Sequence, residues 1–143
     1  MTAGSYYRFK YRAQNERGFS LFSDILTVGL GPLPTKPTGL SRASIGNNIT
    51  TIAIDWDDLT TETLEVTYYS LYVDDGQGVI FNKAYKGSLP NAVVSGLTSG
   101  VEYSFYVTAT NFNGEGTPSD TLRLKSCVVP SGVQAPKLLY TTA

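Results

Sequence analysis

Histidine is absent from this sequence of 143 residues, and cysteine occurs once, as Cys127. Without histidine the chain cannot form a Ser-His-Asp triad or a Cys-His pair. A single thiol cannot form a thiolate metal cluster or an internal disulfide. These absences exclude most hydrolytic and zinc-dependent chemistry, and we predict that the protein is not an enzyme and holds no cofactor or metal ion.

Long apolar runs and basic runs are also missing. No stretch approaches the roughly 18 consecutive apolar residues that span a bilayer, and the amino terminus lacks the pattern of a secretory signal. The net charge is −1, and the 11 Lys and Arg residues are scattered along the chain. Because nucleic acids and anionic membranes attract clustered positive charge, we expect no nucleic-acid partner and no direct membrane insertion.

The residues that are present alternate in character. Apolar side chains recur at every second position in several short runs, and segments rich in Gly, Asn and Asp separate these runs, as is typical of half-buried strands joined by turns. Short strands at such intervals predict an all-β antiparallel sandwich. The alternation predicts that its structural core includes Trp56, Tyr69, Leu71, Tyr103, Phe105 and Val107.

The chain also repeats itself. Residues 2–28 reappear 96 positions later, as Tyr7 and Tyr103 or Asn15 and Asn111 illustrate, and Pro-rich stretches lie near residues 31–37 and 129–136. A period of this length fits tandem domains that each bury their own core. We therefore predict the end of a preceding repeat at residues 1–30, a linker at 31–36, a complete domain at 37–127, and a linker with the first strand of a following repeat at 128–143.

A series of spaced motifs characterises the complete domain: Pro37, Leu40, Trp56, Tyr69, Leu71, Val73, Leu97, Tyr103, Ala109, Asn111, Gly114 and Ser119. In this order the motifs resemble a fibronectin type III domain. The resemblance implies an antiparallel sandwich of immunoglobulin-like topology, with strands A, B and E facing strands C, C′, F and G. It also implies that Tyr103 forms a tyrosine corner against backbone near Leu97, a further core residue, and that Tyr7 does so in strands F and G of the preceding repeat.

Two kinds of candidate site follow. Tyr68, Tyr72 and Tyr106 have the outward phase on strands C and F, so they could form an aromatic contact surface or only stabilise the sheet. Phe112, at the tip of the loop between strands F and G, could touch a neighbouring repeat. Asn48 begins an Asn-Ile-Thr acceptor sequence for N-glycosylation in a predicted loop.

Carboxylates cluster around Trp56, at Asp55, Asp57 and Asp58, and Glu62 and Glu65 follow. They could suggest acid–base chemistry or a cation site. We interpret them as a solvated loop, because an open acidic loop lacks the burial that raises a carboxyl pKa.

The leading hypothesis is a non-catalytic structural and adhesive segment of a larger tandem-repeat protein, at the cell surface or outside the cell, acting as spacer and contact surface. Its expected partners are neighbouring repeats and, in an assembly, other proteins or copies of itself. One alternative is an accessory module of a secreted multidomain enzyme. Another is part of an intracellular cytoskeletal or axonemal array of fibronectin type III domains.

Overall fold

The structure, a computed structural model, describes residues 1–127. The predicted first strand of a following repeat, with its linker, lies outside the described residues. Within them the regular elements are all strands, in the order β1 Tyr6–Phe9, β2 Gln14–Asn15, β3 Gly18–Phe19, β4 Leu26–Gly29, β5 Ser41–Arg42, β6 Ile52–Asp55, β7 Tyr68–Asp74, β8 Phe81–Gly87, β9 Asn91–Val94, β10 Glu102–Asn111, β11 Gly114–Glu115 and β12 Leu122–Lys125.

Strands β5 to β12 form two antiparallel sheets. One sheet has the order β5-β6-β9, and the other has the order β11-β10-β7-β8 with β12 also paired to β10. These sheets correspond to strands A, B and E and to strands C, C′, F and G. The predicted all-β antiparallel sandwich is confirmed.

The core lies between the two sheets. The alternating side chains of β6, β7 and β10 point inward and interlock there, and Trp56 packs edge-on against both Tyr69 and Tyr85 at centroid distances of 5.7 and 6.0 Å. The buried hydrophobic cluster contains every core residue named from the sequence: Trp56, Tyr69, Leu71, Leu97, Tyr103, Phe105 and Val107. Removal of this apolar surface from water is the main term that stabilises such a sandwich.

Strands β1 to β4 form a separate hairpin that repeats the pairing of β10, β11 and β12. Phe9 lies opposite Leu26 as Phe105 lies opposite Leu122, and Asn15 lies opposite Gly18. Asn111 lies opposite Gly114 in the same way. The sequence repeat is therefore also a repeat of backbone structure, residue for residue.

The two hairpins differ in what covers them. Phe105 is fully buried by the facing sheet, whereas Phe9, its counterpart, is 44% exposed, and Tyr11 is 77% exposed where its counterpart Val107 is fully buried. A two-stranded hairpin with an uncovered apolar face has little stability of its own in water. In residues 1–127 this hairpin has no facing sheet.

Candidate contact surfaces

Three of the carboxylates after Trp56 make separate contacts in loops. Asp57 accepts a hydrogen bond from the Thr38 hydroxyl at 2.8 Å, Asp58 accepts one from the Tyr69 hydroxyl at 2.8 Å, and Glu62 accepts one from the Thr35 amide at 2.9 Å. No group of three His, Cys, Asp or Glu side chains arranged to hold a metal ion occurs in the described part of the chain. These side chains therefore tie loop segments to their neighbours.

Tyr69 anchors the loop that follows β6. Its ring is almost completely buried, its hydroxyl donates to Asp58, and it accepts a hydrogen bond from the Leu59 amide at 2.8 Å. Burial, opposed by the Leu59 amide and reinforced by Asp58, raises the pKa of Tyr69 to about 12. Sequence alternation places the ring in the core but gives no sign of these two hydrogen bonds.

The outer face of the larger sheet carries an aromatic ladder, which we define as Phe81, Lys83, Tyr72 and Tyr106. Tyr72 and Tyr106 stack with centroids 4.7 Å apart, and Phe81 lies 5.0 Å from Tyr106. The Lys83 ammonium lies 5.2 Å from the Tyr72 ring centre. The structure thus brings together two of the three predicted outward tyrosines and adds two side chains from β8.

A β-bulge explains why the sequence did not reveal the contribution of β8. The pairing of β7 with β8 shifts between Leu71 and Tyr72, so Tyr85 points into the core opposite Leu71 while Lys83 lies opposite Tyr72. The extra residue between them, Ala84, reverses the phase of the strand. Strict alternation cannot show such a reversal.

Tyr68 lies apart from the aromatic ladder. Lys86 sits over its ring at 4.0 Å, which is a cation–π contact. Within the ladder, burial and the neighbouring Tyr72 raise the pKa of Tyr106, and the contact with the Tyr72 hydroxyl raises the pKa of Lys83. These side chains contact one another across β8, β7 and β10, and such cross-strand contacts stabilise a sheet.

A second surface joins the hairpin to the complete domain. The Asn113 amide nitrogen donates to the carbonyl oxygens of Gly29 and Gly31 at 2.9 and 2.8 Å, and the Asn111 amide nitrogen donates to that of Pro32 at 2.8 Å. Asn111 is the last residue of β10, and Asn113 lies in the loop between β10 and β11. This loop therefore holds the backbone by which the chain leaves the hairpin.

Apolar packing reinforces these hydrogen bonds. Phe112 meets the Tyr6 ring edge-on, with centroids 5.1 Å apart and planes at 74°. Leu64, in the loop between β6 and β7, is only 1% exposed although it lies in a loop. Its side chain lies so close to Gly29 and Gly31 that a Cβ atom there would fall 3.1 and 2.8 Å from its carbon atoms.

The remainder of the linker is also held. Thr35 binds Glu62 through both its amide and its hydroxyl, and Lys36 forms an ion pair of 2.8 Å with Asp120. Pro34 and Pro37 are buried. Together with the contacts above these define the joint. By this we mean the contact of residues 29–36 and Tyr6 with the loop around Leu64, with residues 111–113 and with Asp120.

Asn48 lies in an exposed turn between β5 and β6. Its side-chain oxygen accepts hydrogen bonds from the Thr50 amide at 2.8 Å and from the Thr50 hydroxyl at 3.2 Å. The acceptor sequence is therefore accessible from solvent, and its modification stays a prediction.

Both the sequence and the fold of this chain are similar to those of known proteins. The family model described as the fibronectin type III domain matches residues 35–125. The chain belongs to the fibronectin type III family. Members of this family are generally non-catalytic. In the described residues no helix is long and apolar enough to cross a membrane.

The relatives are much longer proteins. The chain is 27% identical over 135 residues to fibronectin type III domain containing protein 3C1 of Mus musculus, and 28% identical over 124 residues to fibronectin type-III domain-containing protein 3a of Gallus gallus. These alignments cover 92% and 85% of the chain but only 10% of each relative. A solved fragment of titin containing several domains is 18% identical, with a TM-score of 0.61 over 82% of the chain and 39% of the fragment.

Proposed function

We propose that the chain is a non-catalytic structural segment of a larger tandem-repeat protein, in which it sets the spacing between adjacent fibronectin type III domains. One observation carries this proposal: the hairpin of residues 1–30 repeats the F and G strands of the complete domain in register, yet its inner face is uncovered. An apolar face of this kind needs a facing sheet. The simplest source is the remainder of a preceding repeat.

The equivalent hydrogen bonds support the same assignment. The Tyr7 hydroxyl accepts from the Thr2 amide as the Tyr103 hydroxyl accepts from the Thr98 amide. Ser23 accepts from the Tyr11 amide at 3.1 Å, and Ser119 accepts from the Val107 amide at 3.0 Å. A hairpin selected only for a local role has no reason to keep the tyrosine corner of a complete sandwich.

A chimera tests the assignment. Residues 35–97, which contain β5 to β9, are joined directly to residues 2–31 in place of residues 98–127, with Tyr11→Val because Tyr11 replaces the buried Val107. We expect cooperative unfolding and a dispersed amide NMR spectrum, since the transplanted hairpin supplies strands F and G. The control is a second chimera in which the same thirty residues are shuffled.

The chimera gives a clear alternative outcome. If it is no more structured than the shuffled control, residues 1–30 do not act as strands F and G of a sandwich and the tandem-repeat proposal fails. If it folds, the hairpin can complete a facing sheet of this family. Neither chimera contains Asn111, Phe112 or Asn113, so the result does not depend on the contacts that these residues make in the joint.

An adhesive role is a second candidate, and the aromatic ladder supports it. Three large rings lie together on an outer sheet face, which is a composition enriched at protein interfaces. We propose a second copy of this chain as the partner, because the net charge of −1 opposes self-association very little. Analytical ultracentrifugation of the natural chain and of the Tyr106→Thr variant over a range of concentrations tests this self-association. Val93→Thr, which changes an exposed residue of the other sheet, is the control.

The expected result is concentration-dependent association that Tyr106→Thr weakens and Val93→Thr does not. A chain that stays monomeric at high concentration, with Tyr106→Thr changing only its unfolding free energy, assigns the ladder to sheet stabilisation alone.

We propose a cell-surface or extracellular location for the parent protein, supported by the exposed acceptor sequence at Asn48. Mass spectrometry of the tryptic peptide from the natural source tests this location. A glycan on Asn48 supports passage through the secretory route, and an unmodified peptide recovered from cytosol argues for the cytoskeletal alternative.

A further inference from the structure

In the joint, the complete domain binds the backbone of the segment that follows β4, which we call the exit segment. Asn113 and Asn111 together donate to the carbonyl oxygens of Gly29, Gly31 and Pro32. Three such bonds from two side chains fix the direction of an extended segment. An isolated flexible linker has no comparable constraint.

The joint also selects for glycine. Neither Gly29 nor Gly31 has a positive φ, so the backbone at these positions is open to other residues. The restriction is steric, because a Cβ at Gly31 would lie 2.8 Å from the Leu64 Cγ. In a close-packed contact such an approach requires the partner to move.

The sequence repeat shows that the exit segment of the complete domain differs from that of the hairpin. The positions of Gly29 and Gly31 correspond, 96 residues later, to Lys125 and Cys127 at the exit of the complete domain. The exit segment that leads to a following domain therefore carries two side chains, at the positions where the segment that leads to this domain has glycines.

The loop of residues 112–113, which we call the receiving loop, also differs in sequence from its counterpart in the hairpin. Glu16 and Arg17, in the hairpin, occupy the positions that correspond to Phe112 and Asn113. The preceding repeat consequently lacks both the ring that packs on Tyr6 and the amide that binds the two glycine carbonyls.

We propose that the loops around Leu64 and Asn113 form a dedicated receiving surface for a Gly-x-Gly-Pro exit segment of the preceding repeat, which fixes two adjacent domains at one angle. Joints on either side of it are of another kind. This inference rests on the proposed tandem arrangement and deepens it, since it makes the spacing device specific to one pair of repeats.

Distance measurement on the full chain tests the joint. Spin labels are attached at Arg8→Cys and Ser44→Cys in a Cys127→Ser background, at exposed positions of the hairpin and of the complete domain. Double electron–electron resonance spectroscopy then gives the distribution of distances between the two labels. We expect one narrow distribution, and a broad distribution for this chain overturns the proposal.

Variants locate the cause of the narrow distribution. Gly31→Ala and Asn113→Ala are expected to broaden it, the first by steric conflict with Leu64 and the second by loss of two hydrogen bonds. The matched controls, Val79→Ala and Asn82→Ala, change exposed side chains at the far end of β8 from the joint and are expected to leave the distribution narrow. Equal distributions in all variants would refute the roles assigned to these residues.

A further variant tests whether the receiving loop is specific for this joint, by giving it the residues of the corresponding loop in the hairpin. The double variant Phe112→Glu with Asn113→Arg gives the receiving loop the residues found at Glu16 and Arg17. We expect a broad distribution, and a narrow one shows that the joints are interchangeable. Thermal unfolding of the complete domain is followed in each variant, because an unchanged transition assigns the broadening to the joint. If the distance distribution of the natural chain is broad but the chimera folds, the rigid joint is refuted and the tandem arrangement is still supported.

Discussion

The tyrosine corner occurs twice in this chain, and the two copies differ in what covers the ring. Tyr103 is 7% exposed and accepts a hydrogen bond from the Thr98 amide at 2.9 Å, whereas Tyr7 makes the equivalent bond in the uncovered hairpin. Loss of one partner of a buried hydrogen bond costs more than loss of an exposed one, since water replaces the exposed partner.

Tyr103→Phe is therefore expected to lower the unfolding free energy by about 1–2 kcal/mol. Tyr7→Phe, the matched control, is expected to change the main transition by less than about 0.5 kcal/mol. Denaturant unfolding monitored by Trp56 fluorescence measures both. Equal effects would mean that the two corners are equally buried, contrary to the structure.

A second prediction concerns Tyr69 and pH. Its pKa is raised from 10.0 to about 12, so the folded protein holds this proton more tightly than the unfolded chain does. The associated stability is complete below pH 10 and is lost as pH rises towards 12. A pKa difference of this size corresponds to about 3 kcal/mol.

Comparison with Tyr69→Phe isolates this contribution. The unmodified protein is expected to be the more stable below pH 10, and its advantage is expected to shrink as pH approaches 12. Tyr68→Phe, one residue away on the outer face, controls for alkaline effects elsewhere. A constant free-energy difference across this range would contradict the assignment.

At the scale of elements, the side chain of Asn47 links the two ends of the loop between β5 and β6. The Asn47 amide nitrogen donates to the Ala43 carbonyl at 2.7 Å, and its oxygen accepts from the Ala53 amide at 2.9 Å. Ala53 is only 4% exposed because this loop covers it. Two strands of the smaller sheet are thus linked through a polar side chain.

Asn47→Ala is expected to lower the unfolding free energy by about 1–3 kcal/mol, because the Ala53 amide loses its partner in a buried position. The neighbouring variant Asn48→Ala removes bonds within an exposed turn and is expected to cost less than about 1 kcal/mol. Hydrogen exchange of the Ala53 amide provides the readout. Unchanged protection in Asn47→Ala would show that the loop is held by other contacts.

The alternation of residues predicted the inward side of the sheets but not the whole outward side. Ser70 and Thr108 have the outward phase and are nevertheless buried, at 0% and 3% exposure. They lie opposite each other on neighbouring strands, between larger side chains that cover them. A period of two specifies which side a residue faces, and the size of its neighbours decides whether water reaches it.

The joint was less predictable, for a physical reason. The sequence pointed to Phe112 as a contact with a neighbouring repeat, because it lies at the tip of the loop between strands F and G. Leu64 gave no such sign, since its burial depends on Gly29 and Gly31, more than thirty residues away. The absence of a side chain at those glycines creates the space, and this becomes visible only when both segments are placed together.

At the scale of the whole molecule, the chain consists of a closed sandwich and an open hairpin, which differ in resistance to local unfolding. The hairpin exposes its apolar face and carries Arg8, Lys10, Arg12 and Arg17, all of them exposed. Proteolysis proceeds through local opening, and elements with few buried contacts open most easily. Trypsin is therefore expected to cut within residues 8–17 first.

The linker should resist the same enzyme. Lys36 is paired with Asp120, is followed by the buried Pro37, and lies in the segment held by the joint. Mass analysis of a short digestion is expected to show loss of amino-terminal pieces and survival of a fragment that contains residues 37–127. Asn113→Ala should accelerate cleavage in the hairpin without exposing sites in the sandwich, because it releases the hairpin and leaves the core closed. Early cuts at Lys83 or Lys86, within β8, would show that the sandwich opens more readily than the hairpin and would contradict this division of the molecule.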